Sequence, residues 1–178
     1  MGMDVTPSAF TRDDRARYRR KVRRCLDVFA LMLNDFRFEA ERPTTGLEIE
    51  LNLIDPDCEP AMRNAEVLAN IADPAFQTEL GQFNLELNVP PRPLPGDAAL
   101  ELEVDLRRSL NRAEGLANQT GAHIVAIGIL PTVMPEHFST EWMSANTRYA
   151  ALNEAVFNAR GEDVFIDIEG PTGERLAT

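Results

Sequence analysis

This chain predicts an α+β fold, a predominantly antiparallel sheet with helices on one face. Two stretches, GLEIELNLI (46–54) and FNLELNV (83–89), alternate between apolar and polar residues, the signature of half-buried strands. Segments with apolar residues three and four apart lie between and around them, as amphipathic helices require. The order helix, strand, helix, strand could also describe a parallel α/β sheet. Clean polar faces decide against it, because a doubly covered parallel strand reads as apolar throughout.

Residues 1–10 read as a flexible N-terminus and 11–178 as one domain. From Thr11 the pattern is helical, with Tyr18, Val22, Cys25, Leu26, Phe29, Leu33 and Phe36 on one stripe. The basic run Arg19, Arg20, Lys21, Arg23 and Arg24 falls largely off that stripe and reads as a solvated face. Pro43 to Thr45 break to the first strand, which ends at the turn Asp55-Pro56-Asp57. A short helix around Asn64–Ile71 follows. In the second strand Phe83, Leu85, Leu87 and Val89 oppose Asn84, Glu86 and Asn88, and Pro90 and Pro91 are expected to stop it.

Asp97 is placed to cap a long helix through about Gln119. HIVAIGIL (123–130) is nearly all apolar and reads as a central strand covered on both faces. Asn146 or Thr147 starts a helix to about Arg160. Then DVFIDIEG sets Val164, Ile166 and Ile168 against Phe165, Asp167 and Glu169, and the closing GPTGERLAT shows no helix or strand pattern.

With 178 residues, 44% of them hydrophobic and 26% charged, the chain has the composition of a globular domain with a real core. The net charge of −11 argues against a general nucleic-acid binder. No apolar run approaches the roughly 20 residues of a membrane span, and the N-terminus lacks the pattern of a secretory signal. Neither a membrane nor a nucleic-acid partner is therefore expected. Cys25 and Cys58 form neither a metal spacing nor a disulfide framework, which suits a reducing cytoplasm.

The chemistry lies on the polar strand faces. Glu48, Glu50 and Asn52, then Asn84, Glu86 and Asn88, then Asp167 and Glu169 gather acids and amides. Like charges on neighbouring strands destabilise a sheet unless something offsets them. Oxygen-only donors select hard cations, Mg²⁺ above all, which usually also hold phosphates. A solvated acidic face is the plainer alternative. His123 reads as structural, and His137 has no partner at a telling spacing. Trp142 reads as a loop anchor rather than a lid. Arg148 opens a helix after a loop, where it would grip a phosphate or carboxylate, pair within the helix or stay solvated.

At GLEIELNLIDPD, ELGQFNLELNVPP and GILP…NTRYAALN the chain resembles the glutamate–cysteine ligase family, specifically the second, bacterial type of carboxylate–amine ligases in its actinobacterial form. The resemblance runs from about Arg12 to the C-terminus. The family's Gly-x-Glu-x-Glu strand matches Gly46, Glu48 and Glu50, and its second acidic strand matches Glu79, Glu86 and Asn88. The resemblance implies a glutamine synthetase-like sheet curved around ATP, Mg²⁺ and an amino acid. It implies γ-glutamylcysteine formation: ATP phosphorylates the glutamate side chain, and the amine of cysteine attacks the acyl phosphate. Glu48, Glu50 and Glu86 would then be metal ligands, Glu79 and Asn88 would contact the cofactor, and Arg148 would be catalytic.

Many relatives carry Gly-Thr-His-Pro where this chain has Gly128-Ile129-Leu130-Pro131, so no role of that His carries over. Family members are longer, so the chain is expected to be an N-terminal portion, inactive alone, whose uncovered sheet edge invites homo-oligomerisation. A non-catalytic domain binding an amino acid or nucleotide is the competing expectation, and a partner-binding domain with a solvated acidic face a third.

Overall fold

The computed structural model describes residues 10–38, 41–160 and 167–177. They fall into two compact units, Arg12–Ser144 and Ala145–Thr178. The N-terminal segment through Ala9 lies outside the described residues.

The first unit begins with α1 (Arg12–Asn34), a helix none of whose residues is buried. Its end is a Schellman-type turn: Arg37 N–H donates to Met32 O at 2.9 Å, Phe36 N–H donates to Leu33 O at 3.4 Å, and Phe36 takes φ 52°. β1 (Thr44–Ile54) follows, then α2 (Asn64–Ile71), both at the positions their periodicity predicts. The Asp55 turn is closed by its own carboxylate, which accepts from the N–H groups of Asp57 at 2.9 Å and Glu59 at 3.0 Å.

A three-residue strand, β2 (Phe76–Thr78), precedes β3 (Asn84–Pro93). β2 is too short to carry a legible alternation. β3 runs through Pro90 and Pro91 instead of stopping there. A bulge between Thr45 and Leu47 accommodates the prolines: Leu47 pairs with Val89 and Thr45 with Arg92. The extra residue inverts the side-chain alternation. Arg92 therefore points not with Asn88 but toward the helix face, where both terminal nitrogens reach Asp105 at 3.3 Å.

α3 (Ala98–Ala117) continues as a single 3-10 turn, Asn118–Thr120. Asp97 precedes it but makes no side-chain capping bond; its carbonyl accepts from Glu101 N–H at 3.0 Å. β4 is only His123–Val125 and pairs with β1 alone. It is thus an edge strand, not the doubly covered central strand expected of HIVAIGIL, whose apolar character past Val125 belongs to a loop. The antiparallel order is β2-β3-β1-β4.

Leu51, Leu53, Leu85 and Leu87 form the buried face of this sheet, covered by Val67 and Ile71 of α2 and Ala113 and Ala117 of α3. The small alanines let α3 approach closely while the leucines fill the layer.

The second unit holds α4 (Thr147–Arg160) and a hairpin of β5 (Asp167–Glu169) with β6 (Arg175–Ala177). Asp167 and Glu169 therefore lie on a two-stranded sheet of their own, not on a strand of the four-stranded sheet. Arg175 instead bonds Asp167 through two nitrogens at 2.7 Å each, holding that carboxyl below its usual range. The expectation of no closing element is corrected by β6. Val164, Phe165 and Ile166 lie outside the described residues. No helix among the described residues is long and apolar enough to cross a membrane.

Candidate functional site

Antiparallel register determines which polar residues meet. β1 and β3 pair Glu48 with Asn88, Glu50 with Glu86 and Asn52 with Asn84, while β2 brings Gln77 opposite Glu86. All share the face opposite the leucine layer, because each alternates with a core residue. Side chains directly opposed on antiparallel strands have Cβ atoms about 5 Å apart. Glu50 and Glu86 are thus a like-charged cross-strand pair in the middle of a sheet.

Glu79 adds a third carboxyl. It follows β2 by one residue, with the parity of Gln77, so it lies beside Glu86 on the polar face. Burial raises the proton affinity of its carboxyl first. A side-chain hydrogen bond with Glu86 and the charges of Glu86 and Glu50 raise it further, while the Leu80 N–H, 3.2 Å away, partly offsets them. Glu50, Glu79 and Glu86 therefore sense one another across three neighbouring strand positions. Glu86 is 6% exposed and Glu50 is exposed, so the acids grade from covered to open.

The ends of this shelf differ. At one end Asn84 Nδ2 donates to Asn52 Oδ1 at 2.9 Å, and Asn52 Nδ2 donates to the Ile127 carbonyl at 3.0 Å. That relay ties the loop after β4 to the shelf. At the other end Asn88 has both side-chain polar atoms buried with no hydrogen-bond partner. A buried amide left unsatisfied costs about 1–3 kcal/mol, so this one calls for a partner, whether water, ion or ligand.

Glu79 is held in place by residues whose role the sequence did not signal. Ser144 Oγ donates to the Glu79 carbonyl, and Ser144 N–H donates to Leu80 O at 2.8 Å. Asn64 Nδ2 reaches Ser144 Oγ at 2.8 Å, Asn84 O at 3.1 Å and Gly81 O at 3.2 Å. Gln82 Nε2 contacts the carbonyls of Glu141 and Met143, each at 3.1 Å. Every partner in this clamp is more than a dozen positions distant in sequence, so no local spacing could have announced it.

Arg148 belongs to the second unit. Its backbone N–H donates to Asn146 Oδ1 at 2.8 Å, and its guanidinium carbon lies 5.0 Å from the Tyr149 ring centre. His123 Nδ1 meets Glu114 Oε1 at 3.0 Å, and Glu114 also accepts from the Ile124 N–H at 2.6 Å. That residue fastens β4 to α3, a structural use. Trp142 anchors a loop, its carbonyl accepting from Gln82 N–H at 2.9 Å.

The donors suit a hard cation by type and by register: oxygen atoms alone, two carboxylates in a cross-strand pair and an orphaned amide nearby. Among the described residues, however, no group of three or more Asp, Glu, His or Cys is gathered to hold an ion. Binding would have to draw Glu48 and Glu50 inward from their exposed positions.

Compared with known proteins, the chain matches no family model, no curated protein and no solved structure.

Proposed function

We propose that this chain contributes the acidic shelf of an ATP- and Mg²⁺-dependent carboxylate–amine ligase, with glutamate as the carboxylate and cysteine as the amine. The observation that carries this reading is the direct pairing of Glu50 with Glu86, beside a Glu79 that resists ionisation. Such repulsion has little structural use and is relieved by a divalent cation. The resemblance of GLEIELNLI and ELGQFNLELNVPP to the ligase family supports the same reading.

In this scheme Glu48, Glu50 and Glu86 hold Mg²⁺, and Glu79 and Asn88 contact the nucleotide. When bound, Mg²⁺ supplies charge neutralisation for phosphoryl transfer. Glu86, being covered, would hold its place as a ligand, and Glu48 and Glu50, being exposed, would have to turn inward. Asn88 offers its buried amide to a phosphate or ribose oxygen. The Ser144–Asn64 clamp holds Glu79 against the shelf. The catalytic role of Arg148 rests on the resemblance alone.

Calorimetric titration of a non-hydrolysable ATP analogue, with and without Mg²⁺, tests the reading. Binding is expected only with Mg²⁺ and is expected to weaken at least tenfold in Glu50→Gln and in Glu86→Gln, about 1.4 kcal/mol. In a full-length ligase that includes this chain, ADP release with glutamate and cysteine should fall roughly a hundredfold with Glu50→Gln. Nucleotide binding indifferent to Mg²⁺ and to both substitutions would sink the ligase reading and leave a non-catalytic binding domain.

A further inference from the structure

Helix α1 divides into two halves of opposite character. Arg12 to Arg24 is densely basic, whereas Cys25 to Asn34 is apolar on nearly every side, interrupted by Asp27. A helix segment apolar all round belongs in a buried setting. Yet no residue of α1 is buried, and Leu26, Phe29 and Leu33 are 60%, 49% and 53% exposed. Tyr18, Val22, Cys25, Phe29 and Met32 follow one another at alternating spacings of four and three, the seam of a two-stranded coiled coil.

We infer that α1 is a dimerisation helix that pairs antiparallel with α1 of a second copy. Charge selects the partner and its direction. A parallel pair would set the two basic halves side by side. An antiparallel pair separates them, setting only Arg20 to Arg24 along the partner's apolar half and sending the rest of each basic half past the partner's helix end. With the seam in register, Val22 packs on the partner's Met32 and Cys25 on the partner's Phe29. Leu26 and Val28 then meet the partner's Leu26 and the partner's Val28 about the two-fold axis. The same register brings Lys21 beside the partner's Asp35. Asp35 extends the helical bonding, its N–H donating to Leu31 O at 2.9 Å. Its nearest intrachain cation is the exposed Arg37 at 3.8 Å, a loose pair that leaves the carboxylate able to turn outward.

Sedimentation equilibrium of the 178-residue chain from about 1 to about 100 µM reads the association directly. A dimer is expected. Lys21→Glu and Asp35→Lys, each repeated twice by symmetry, should each weaken it about tenfold, and the double substitution should restore it. All these positions are exposed, so unchanged circular dichroism is expected and separates association from folding. A wild-type monomer throughout that range overturns the proposal. A dimer indifferent to both single substitutions, or not restored by the pair, overturns this interface. Monomers that bind anionic vesicles through α1 would assign the helix to a lipid surface instead.

Discussion

Glu79 holds its proton more firmly than an ordinary glutamate does. The folded protein holds that proton more tightly than the unfolded chain does, chiefly because burial penalises the charged carboxylate, and then because of its hydrogen bond with Glu86 and the charges of Glu86 and Glu50. Its contribution to stability is therefore full below the ordinary Glu range and is lost as pH rises through the raised value. Glu79→Gln removes the repulsion. Thermal melts should show Glu79→Gln matching wild type near pH 4 and exceeding it by about 2–4 °C near pH 8. Saturating Mg²⁺ should erase the difference at pH 8. Asn88 makes a complementary case. Asn88→Leu replaces a buried amide that has no partner with an apolar group of similar size. It should raise the melting temperature by several degrees, since about 1–3 kcal/mol of desolvation cost disappears. It should also abolish Mg²⁺-dependent nucleotide binding. Stabilisation with binding intact would make Asn88 a mere packing defect.

At the scale of elements, the pairing of β1 with β3 determines everything on the shelf. Leu51 opposes Leu85 on the core side, both fully buried, directly beneath Glu50 and Glu86. Leu85→Ala should cost about 2–5 kcal/mol, measured as a lower midpoint in urea, because the neighbouring strands restrict collapse into the cavity. Both strands were legible because each has a buried face and an open face, and two-residue alternation reports that asymmetry. Helices α2 and α4 were legible to within a residue for a similar reason. β2 was not, having three residues and no repeat of its own. HIVAIGIL misled because its apolar run is neither paired nor buried along most of its length: Ile127 and Ile129 are 42% and 87% exposed. Only His123–Val125 finds a strand, while Leu130 is buried from a loop. The shelf's acids were readable from the two strands, but the proximity of Glu79 depends on a hairpin and on Ser144, which lies 65 positions away in sequence.

For the molecule as a whole, self-association is a question of which surfaces remain unpaired. The four-stranded sheet has two borders. β4 offers three residues on one side, and β2 covers three residues of β3 on the other. Beyond β2, the stretch of β3 from Val89 onward has no outer neighbour among the described strands. That stretch includes Pro90, Pro91 and Pro93, which have no amide hydrogen. An incoming strand would find a row of carbonyls with most of the matching donors missing. The prolines that the bulge accommodates thus blunt this border alone; on the other, β4 covers only Asn52–Ile54, which leaves Thr44–Leu51 of β1 without an outer neighbour among the described strands and open to strand addition.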